Sequence, residues 1–175
     1  MRALRYIAAI LVLASGFHLA SIWLMPRVML AGFTTTLQID GTPLNTMIHP
    51  DRRSADDRTI VRPSPDMFYS ICLFDLSAGP VRIATASMPG TYWSLSGFAA
   101  NTDNFFVVND RQAGGRPIDI LINHRGQGRA QGGSGADYYS PSMRGVILLR
   151  MLIEDDLDMS MLDGARHNVV CRPAK

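Results

Sequence analysis

Between Ile71 and Arg111 the chain reads ICLFDLSAGPVRIATASMPGTYWSLSGFAANTDNFFVVNDR. Short runs of alternating apolar and polar residues end at turn-forming clusters: Ser77-Ala78-Gly79-Pro80, Met88-Pro89-Gly90 and Asn101-Thr102-Asp103-Asn104. A period of two sends successive side chains to opposite faces, which suits a half-buried sheet and does not suit a helix. The spacing predicts strands over Tyr69–Leu76, Val81–Ala86, Tyr92–Ala99 and Phe105–Asn109. In the first of these, Ile71, Leu73 and Asp75 share one side, with Cys72, Phe74 and Leu76 on the other.

The pattern continues outside this stretch. Pro117–Asn123 alternates, and Gly145–Ile153 (GVILLRMLI) is apolar almost throughout, as a buried central strand should be. The β-branched FTTTLQI within Ala31–Ile39 reads as a first strand, and Asn168–Arg172 as a last one. His49–Pro65 is polar, charged and flanked by proline, so it reads as an exposed connection. His124–Ser142, rich in Gly, Gln and Ser, reads as a long mobile loop. Asp155-Asp156 are placed to open a short helix from Leu157 to about Arg166, where acids suit the positive end.

Tyr6–Met25 is free of acidic and basic side chains apart from the titratable His18, and it is long enough to cross a hydrocarbon core, which takes about 20 residues as a helix. Arg2 and Arg5 precede it and hold the N-terminus in the cytoplasm, which places the bulk of the chain outside; Arg27 weakens that bias without reversing it. Tyr6 and Trp23 sit near the two interfaces. A cleaved signal peptide is the rival reading, but the apolar run exceeds a usual h-region and Met29-Leu30-Ala31 is half of a cleavage site. The expected organisation is a cytoplasmic tip and transmembrane anchor over 1–27, a connecting segment over 28–68 and a β domain over 69–175. The fold class is mainly β: an antiparallel β-sandwich, or a partly open barrel, with an N-terminal transmembrane helix and a short C-terminal helix.

Net charge is +2, too weak to argue for nucleic acid. The chain has no Gly-x-Ser-x-Gly elbow, His-Glu-x-x-His, Cys-x-x-Cys or Gly-x-x-x-x-Gly-Lys. Gly126, Gly128, Gly132, Gly133 and Gly135 depart from the dinucleotide fingerprint, and Tyr138-Tyr139-Ser140-Pro141 follows where a helix should begin. His49, His124 and His167 are scattered without a ligand spacing. Asp103 with Asn101 and Asn104 offers oxygen ligands to a hard cation, though a hairpin turn explains them more simply. No catalytic residue, cofactor or metal is expected. Arg150 is set in an apolar strand: either its alternation points it at the surface, or it is buried against an acid such as Asp75, Asp119 or Glu154, or it binds a ligand. Cys72 and Cys171 are the only cysteines, and in an oxidising space they are expected to form a disulfide tying the tail to the core.

Cys72-Leu73-Phe74-Asp75-Leu76-Ser77-Ala78-Gly79-Pro80-Val81, Tyr92-Trp93-Ser94-Leu95-Ser96, Asn104-Phe105 and Asn109-Asp110-Arg111 resemble the short membrane-anchored members of the DUF1254 family, small bacterial proteins mostly from alphaproteobacteria. The resemblance covers about Tyr69 to Cys171. It implies a β-sandwich, an envelope location and a neighbouring gene for a small DUF1214-type membrane protein. Longer relatives carry an Asn-Arg-Asp-Thr-x-Tyr-Ser-like motif ahead of this strand; here Asp66, Tyr69 and Ser70 are kept, with Ser64 for Asn and Met67 for Thr.

The expectation is thus a single-pass protein of the bacterial inner membrane, N-terminus cytoplasmic and C-terminal domain periplasmic. It acts without enzymatic chemistry, beside a partner membrane protein of the DUF1214 type. The alternative is a small-ligand binder or divergent enzyme with a pocket near Asp66, Tyr69, Arg111 and Arg150.

Overall fold

The computed structural model describes residues 2–57, 63–125, 135–154 and 157–174, with the backbone alone of Ile39. The chain opens with a helix, α1 (Arg2–Ile39), of 38 residues. At 1.5 Å per residue it is about 57 Å long, so roughly half of it extends beyond a 30 Å hydrocarbon core. The expected first strand within Ala31–Ile39 is therefore corrected: those residues continue α1. Adding a turn to an existing helix avoids the cost of nucleation, and this outweighs the weak β preference of three threonines. Thr34 and Thr36 turn their hydroxyls back to the carbonyls of Ala31 and Gly32. The helix ends where Gly41 adopts a left-handed φ of 86°, with Gly41 N–H bonded to Gln38 O and Thr42 N–H to Leu37 O.

Nine strands follow among the described residues. They are β1 (Met47–Ile48), β2 (Met67–Asp75), β3 (Val81–Thr85), β4 (Trp93–Ala99), β5 (Asn104–Asn109), β6 (Ile118–His124), β7 (Ala136–Ser140), β8 (Arg144–Leu152) and β9 (Val170–Pro173). Two short helices are interposed, α2 (Asp110–Ala113) and α3 (Met159–His167). The strands form a sandwich of a five-stranded sheet, β1-β2-β8-β4-β5, and a four-stranded sheet, β7-β6-β3-β9. Every pairing is antiparallel except that of β6 with β7. The predicted strands of the central stretch are present within a residue or two, and β8 lies mid-sheet between β2 and β4, as its apolar run requires.

Inner-face residues of both sheets make one core: Phe68, Cys72, Phe74, Trp93, Leu95, Ile147, Leu149 and Met151 from one side, Val81, Ile83, Ile120, Ile122 and Cys171 from the other. The expected disulfide between Cys72 and Cys171 is formed, and it joins β2 of one sheet to β9 of the other across 99 residues of chain. Where Gly145 lies, an added Cβ would stand 2.1 Å from Phe98 O and 2.6 Å from the Phe74 ring, so only glycine lets β8 and β4 approach there.

The expected loop His124–Ser142 is corrected in part. β6 runs through His124, and Ala136–Ser140 is a strand parallel to it, with Tyr138 stacked on Phe106 of the opposite sheet at 4.7 Å. The aromatic pair spans the two layers and outweighs the loop-like composition around it. Gly126, Gly128, Gly132 and Gly133 lie outside the described residues, as do Asp155 and Asp156. Asp158 caps α3, accepting from Ser160 N–H.

Opening the disulfide removes a constraint worth about 4–5 kcal/mol on a loop of this length. Reduction of the full chain in detergent is expected to lower its urea midpoint, and a Cys72→Ser/Cys171→Ser variant should match the reduced protein. Gly145→Ala should destabilise by roughly 2 kcal/mol or more through the clash with Phe98 O, read in the same unfolding assay.

Candidate functional site

Two groupings of polar side chains stand out among the described residues. The first lies at the sandwich edge, where β1 ends after Ile48 and leaves the start of β2 paired on its β8 side alone. Arg166 of α3 fills that gap. It is buried, its Nη1 donates to Pro50 O at 2.8 Å and to Tyr69 O at 3.2 Å, and its Nε donates to Asp163 Oδ1. The guanidinium also stacks 4.6 Å over the Phe68 ring. The helix end is thereby pinned to β2 by charge-assisted bonds.

Beside it, His49 Nδ1 lies 2.8 Å from Ser70 Oγ, and the His49 ring packs on that of His167 at 4.3 Å. His167 Nδ1 donates to Asp163 O at 2.7 Å. Serine, histidine and aspartate in one cluster suggest a nucleophile with its base. Ser70, however, is fully buried on the inner face of β2, closed to a substrate carbonyl. The cluster instead satisfies a buried hydroxyl. Burial first, then His167 and Arg166, push His49 down from 6.5 to about 4, against the opposing pull of Asp163.

The second group lies on the outer face of the five-stranded sheet, away from the core. Tyr69 of β2 stands opposite Arg150 of β8, and Arg150 opposite Ser94 of β4. Such neighbours hold their Cβ atoms about 5 Å apart. Tyr69 Oη accepts from Ser64 N–H at 2.9 Å. Buried Arg150 Nε and Ser94 Oγ have no hydrogen-bond partner among the described residues. The acids considered for Arg150 in the sequence are engaged elsewhere, which corrects the ion-pair expectation, while its alternation sets it on the outer face. Asp75 accepts from Arg144 at 2.7 Å, Asp119 from Arg82, and Glu154 from Thr91 at 3.0 Å. The β2–β8 register places Asp75 opposite Arg144, six residues along the strand from Arg150, roughly 20 Å away. Burial opposes ionisation of Asp75, yet bonds from Ser77 and Arg144 hold its carboxyl below the usual range.

Of the other residues proposed for a pocket, Asp66 is exposed just ahead of β2, its carbonyl accepting from Ile153 N–H at 2.9 Å. Arg111 is exposed in α2, beyond the end of β5 and on the far side of β4 from Arg150. The structure thus makes neighbours of Tyr69 and Arg150, while Asp66 and Arg111 stand apart at the rim. Asn101 and Asp103 bond to one another within the turn, and no group of three or more His, Cys, Asp or Glu able to hold a metal occurs among the described residues. Sequence reasoning missed Arg166 and the approach of His49 to His167. The one signal was the spacing of Leu162 and Arg166, four residues apart on one face of α3, both buried.

The histidine contact gives a pH dependence. The folded state holds His49 neutral, whereas the unfolded chain binds that proton near 6.5. Stability is therefore complete above pH 6.5 and declines as pH falls from 6.5 towards 4. Because His49 is only half-buried, the loss should be about 1–2 kcal/mol. Chemical unfolding at stepped pH should show this limb, and His49→Asn should flatten it. Arg166→Met should cost roughly 3 kcal/mol at neutral pH, since two carbonyls and Asp163 lose their donor.

Comparison with known proteins agrees with this architecture. The VPA0106 protein from Vibrio parahaemolyticus, a solved structure, superposes with a TM-score of 0.70 at 18% identity, covering 88% of this chain and 36% of that one. A putative uncharacterized protein from Burkholderia cenocepacia matches with a TM-score of 0.45 at 14% identity, over 87% of this chain and 46% of its own. The chain thus spans about a third of the Vibrio protein and under half of the Burkholderia protein. No curated protein matches the sequence. The family model described as a protein of unknown function, DUF1254, matches residues 44–173. The chain belongs to the DUF1254 family.

Proposed function

We propose that this protein is a periplasmic domain tethered to the bacterial inner membrane, which acts without enzymatic chemistry by assembling with a second membrane protein. The observation that carries the reading is α1. Its apolar window is long enough to cross a membrane, and none of that window is buried against the protein. Leu11, Leu13, Phe17 and Leu19 are more than half exposed in the isolated chain, an arrangement stable only where lipid or another helix covers them. The cross-sheet disulfide suits an oxidising compartment, which Arg2 and Arg5 ahead of the helix also favour. A small DUF1214-type membrane protein is the candidate partner.

Two measurements test this. Protease added to spheroplasts should digest the domain and spare the helix; a protected domain would reverse the orientation. Purification of the full chain from its native membrane in mild detergent should bring the partner with it. Recovery of a lone monomer across several detergents would overturn the assembly reading.

A second reading, a small-ligand binder or divergent enzyme using Asp66, Tyr69, Arg111 and Arg150, draws on the adjacency of Tyr69 and Arg150 and the unpartnered Arg150 Nε. A thermal shift on adding small carboxylates, abolished in Arg150→Gln, would favour it.

A further inference from the structure

Past Met25, α1 keeps one face partly covered. Pro26, Arg27, Leu30, Phe33, Thr34 and Leu37 are partly buried, while the residues between them are exposed. Their spacing is that of a single helix face. Between this part of α1 and the sandwich lies a cavity of about 380 Å³, a size that small-molecule sites share. Arg27, Leu30, Thr34 and Gln38 line it from the helix, and Leu44, Leu73 and Arg144 from the sandwich. No acid lines it among the described residues.

Arg27 stacks over the Trp23 ring at 4.0 Å and donates from Nη1 to Trp23 O, and it meets no acid among the described residues. Arg144 gives its Nε to Asp75 and keeps a side chain 70% exposed. Leu44 is an exposed apolar residue. Two cations and an apolar surface thus share one cavity, a combination that suits an acid with an apolar body. The position of the cavity narrows the class. With Tyr6–Met25 in the bilayer, Arg27 stands at the depth of the lipid head groups, two residues past the span. Gln38 lies about 16 Å further along the helix, so the cavity reaches outward from that layer. Basic pockets beside a membrane helix at this depth take anionic head groups.

We propose that this cavity holds the head group of one anionic phospholipid, its phosphate on Arg27 and Arg144 and its glycerol portion against Leu30 and Leu44. The lipid ties the sandwich to the bilayer surface. The inference rests on the membrane-anchor part of the reading above and adds the ligand that seats the domain.

The test offers phosphatidylglycerol or phosphatidylcholine in mixed micelles to the full chain and reads retained lipid by native mass spectrometry. One phosphatidylglycerol should be held about tenfold more tightly than phosphatidylcholine, and Arg27→Gln should remove that preference. Ala31→Trp fills the cavity from an exposed position on α1 and leaves every charge in place, so it should abolish retention. Arg5→Gln, the same change of charge at the other end of the span, should leave retention intact. These variants lie outside the sandwich, and an intact Cys72–Cys171 bond in each reports folding. Equal retention of the two lipids, or retention unchanged in Arg27→Gln or Ala31→Trp, would overturn the proposal, because the lipid would then be no more than a boundary layer. So would oleate held through Arg27 while phosphatidylglycerol is not, because the cavity would then take a free fatty acid. An alkaline carbonate wash of the native membrane separates the two readings. A chain that stays in the pellet without selecting phosphatidylglycerol ends this inference alone; a chain washed into the supernatant ends both.

Discussion

The pairing of β2 with β8 sets the geometry of the rest. Its register runs from Met67↔Leu152 to Asp75↔Arg144 without a break. Because side chains alternate along a strand, this register decides what each face carries. Phe68, Ser70, Cys72 and Phe74 point inward with Ile147, Leu149 and Met151, while Tyr69 and Arg150 point outward together. A slip of one residue would bury Arg150 and expose Cys72, losing the disulfide and the core at once. The apolar inner face resists that slip through the free energy of its burial.

The same register explains how this sandwich handles its charges. Arg144, Arg82 and Arg166 each meet an acid, and Arg166 adds two backbone carbonyls left open where β1 stops. The edge of β2 is thus closed by a side chain, a device that protects an otherwise exposed ladder. Arg150 stands outside this scheme, beside Tyr69 and Ser94 on an outer face of mixed character. Arg150 Nε and Ser94 Oγ, like the Asn123 amide and Asp110 Oδ1, are buried without a hydrogen-bond partner among the described residues.

Much of this was legible in the chain, and the failures have a common cause. Alternation and turn residues located β2, β3, β4, β5 and β6, and a nearly continuous apolar run located β8, because both signals are local. The stretch from Ala31 to Ile39 was misread because its β-branched residues follow a helix already formed, and propagation overrides propensity. Ala136–Ser140 was hidden because its strand exists through pairing with β6 and the contact of Tyr138 with Phe106. Arg150 drew attention as the charge inside an apolar run, yet the deeply buried arginine is Arg166, in a stretch that looks polar in one dimension.

From sequence alone came the membrane-length apolar segment, the sandwich class, the central position of β8 and the pairing of the two cysteines. These follow from composition, period and redox compartment, which are properties of the chain read along its length. Only the tertiary structure decided which acid each arginine meets, that His49 lies on His167 above a buried Ser70, and that Tyr69, Arg150 and Ser94 form one row. Those outcomes depend on strand order and register between segments far apart in the chain. The free energy that selects them comes from burial of the whole inner face, which no local pattern encodes.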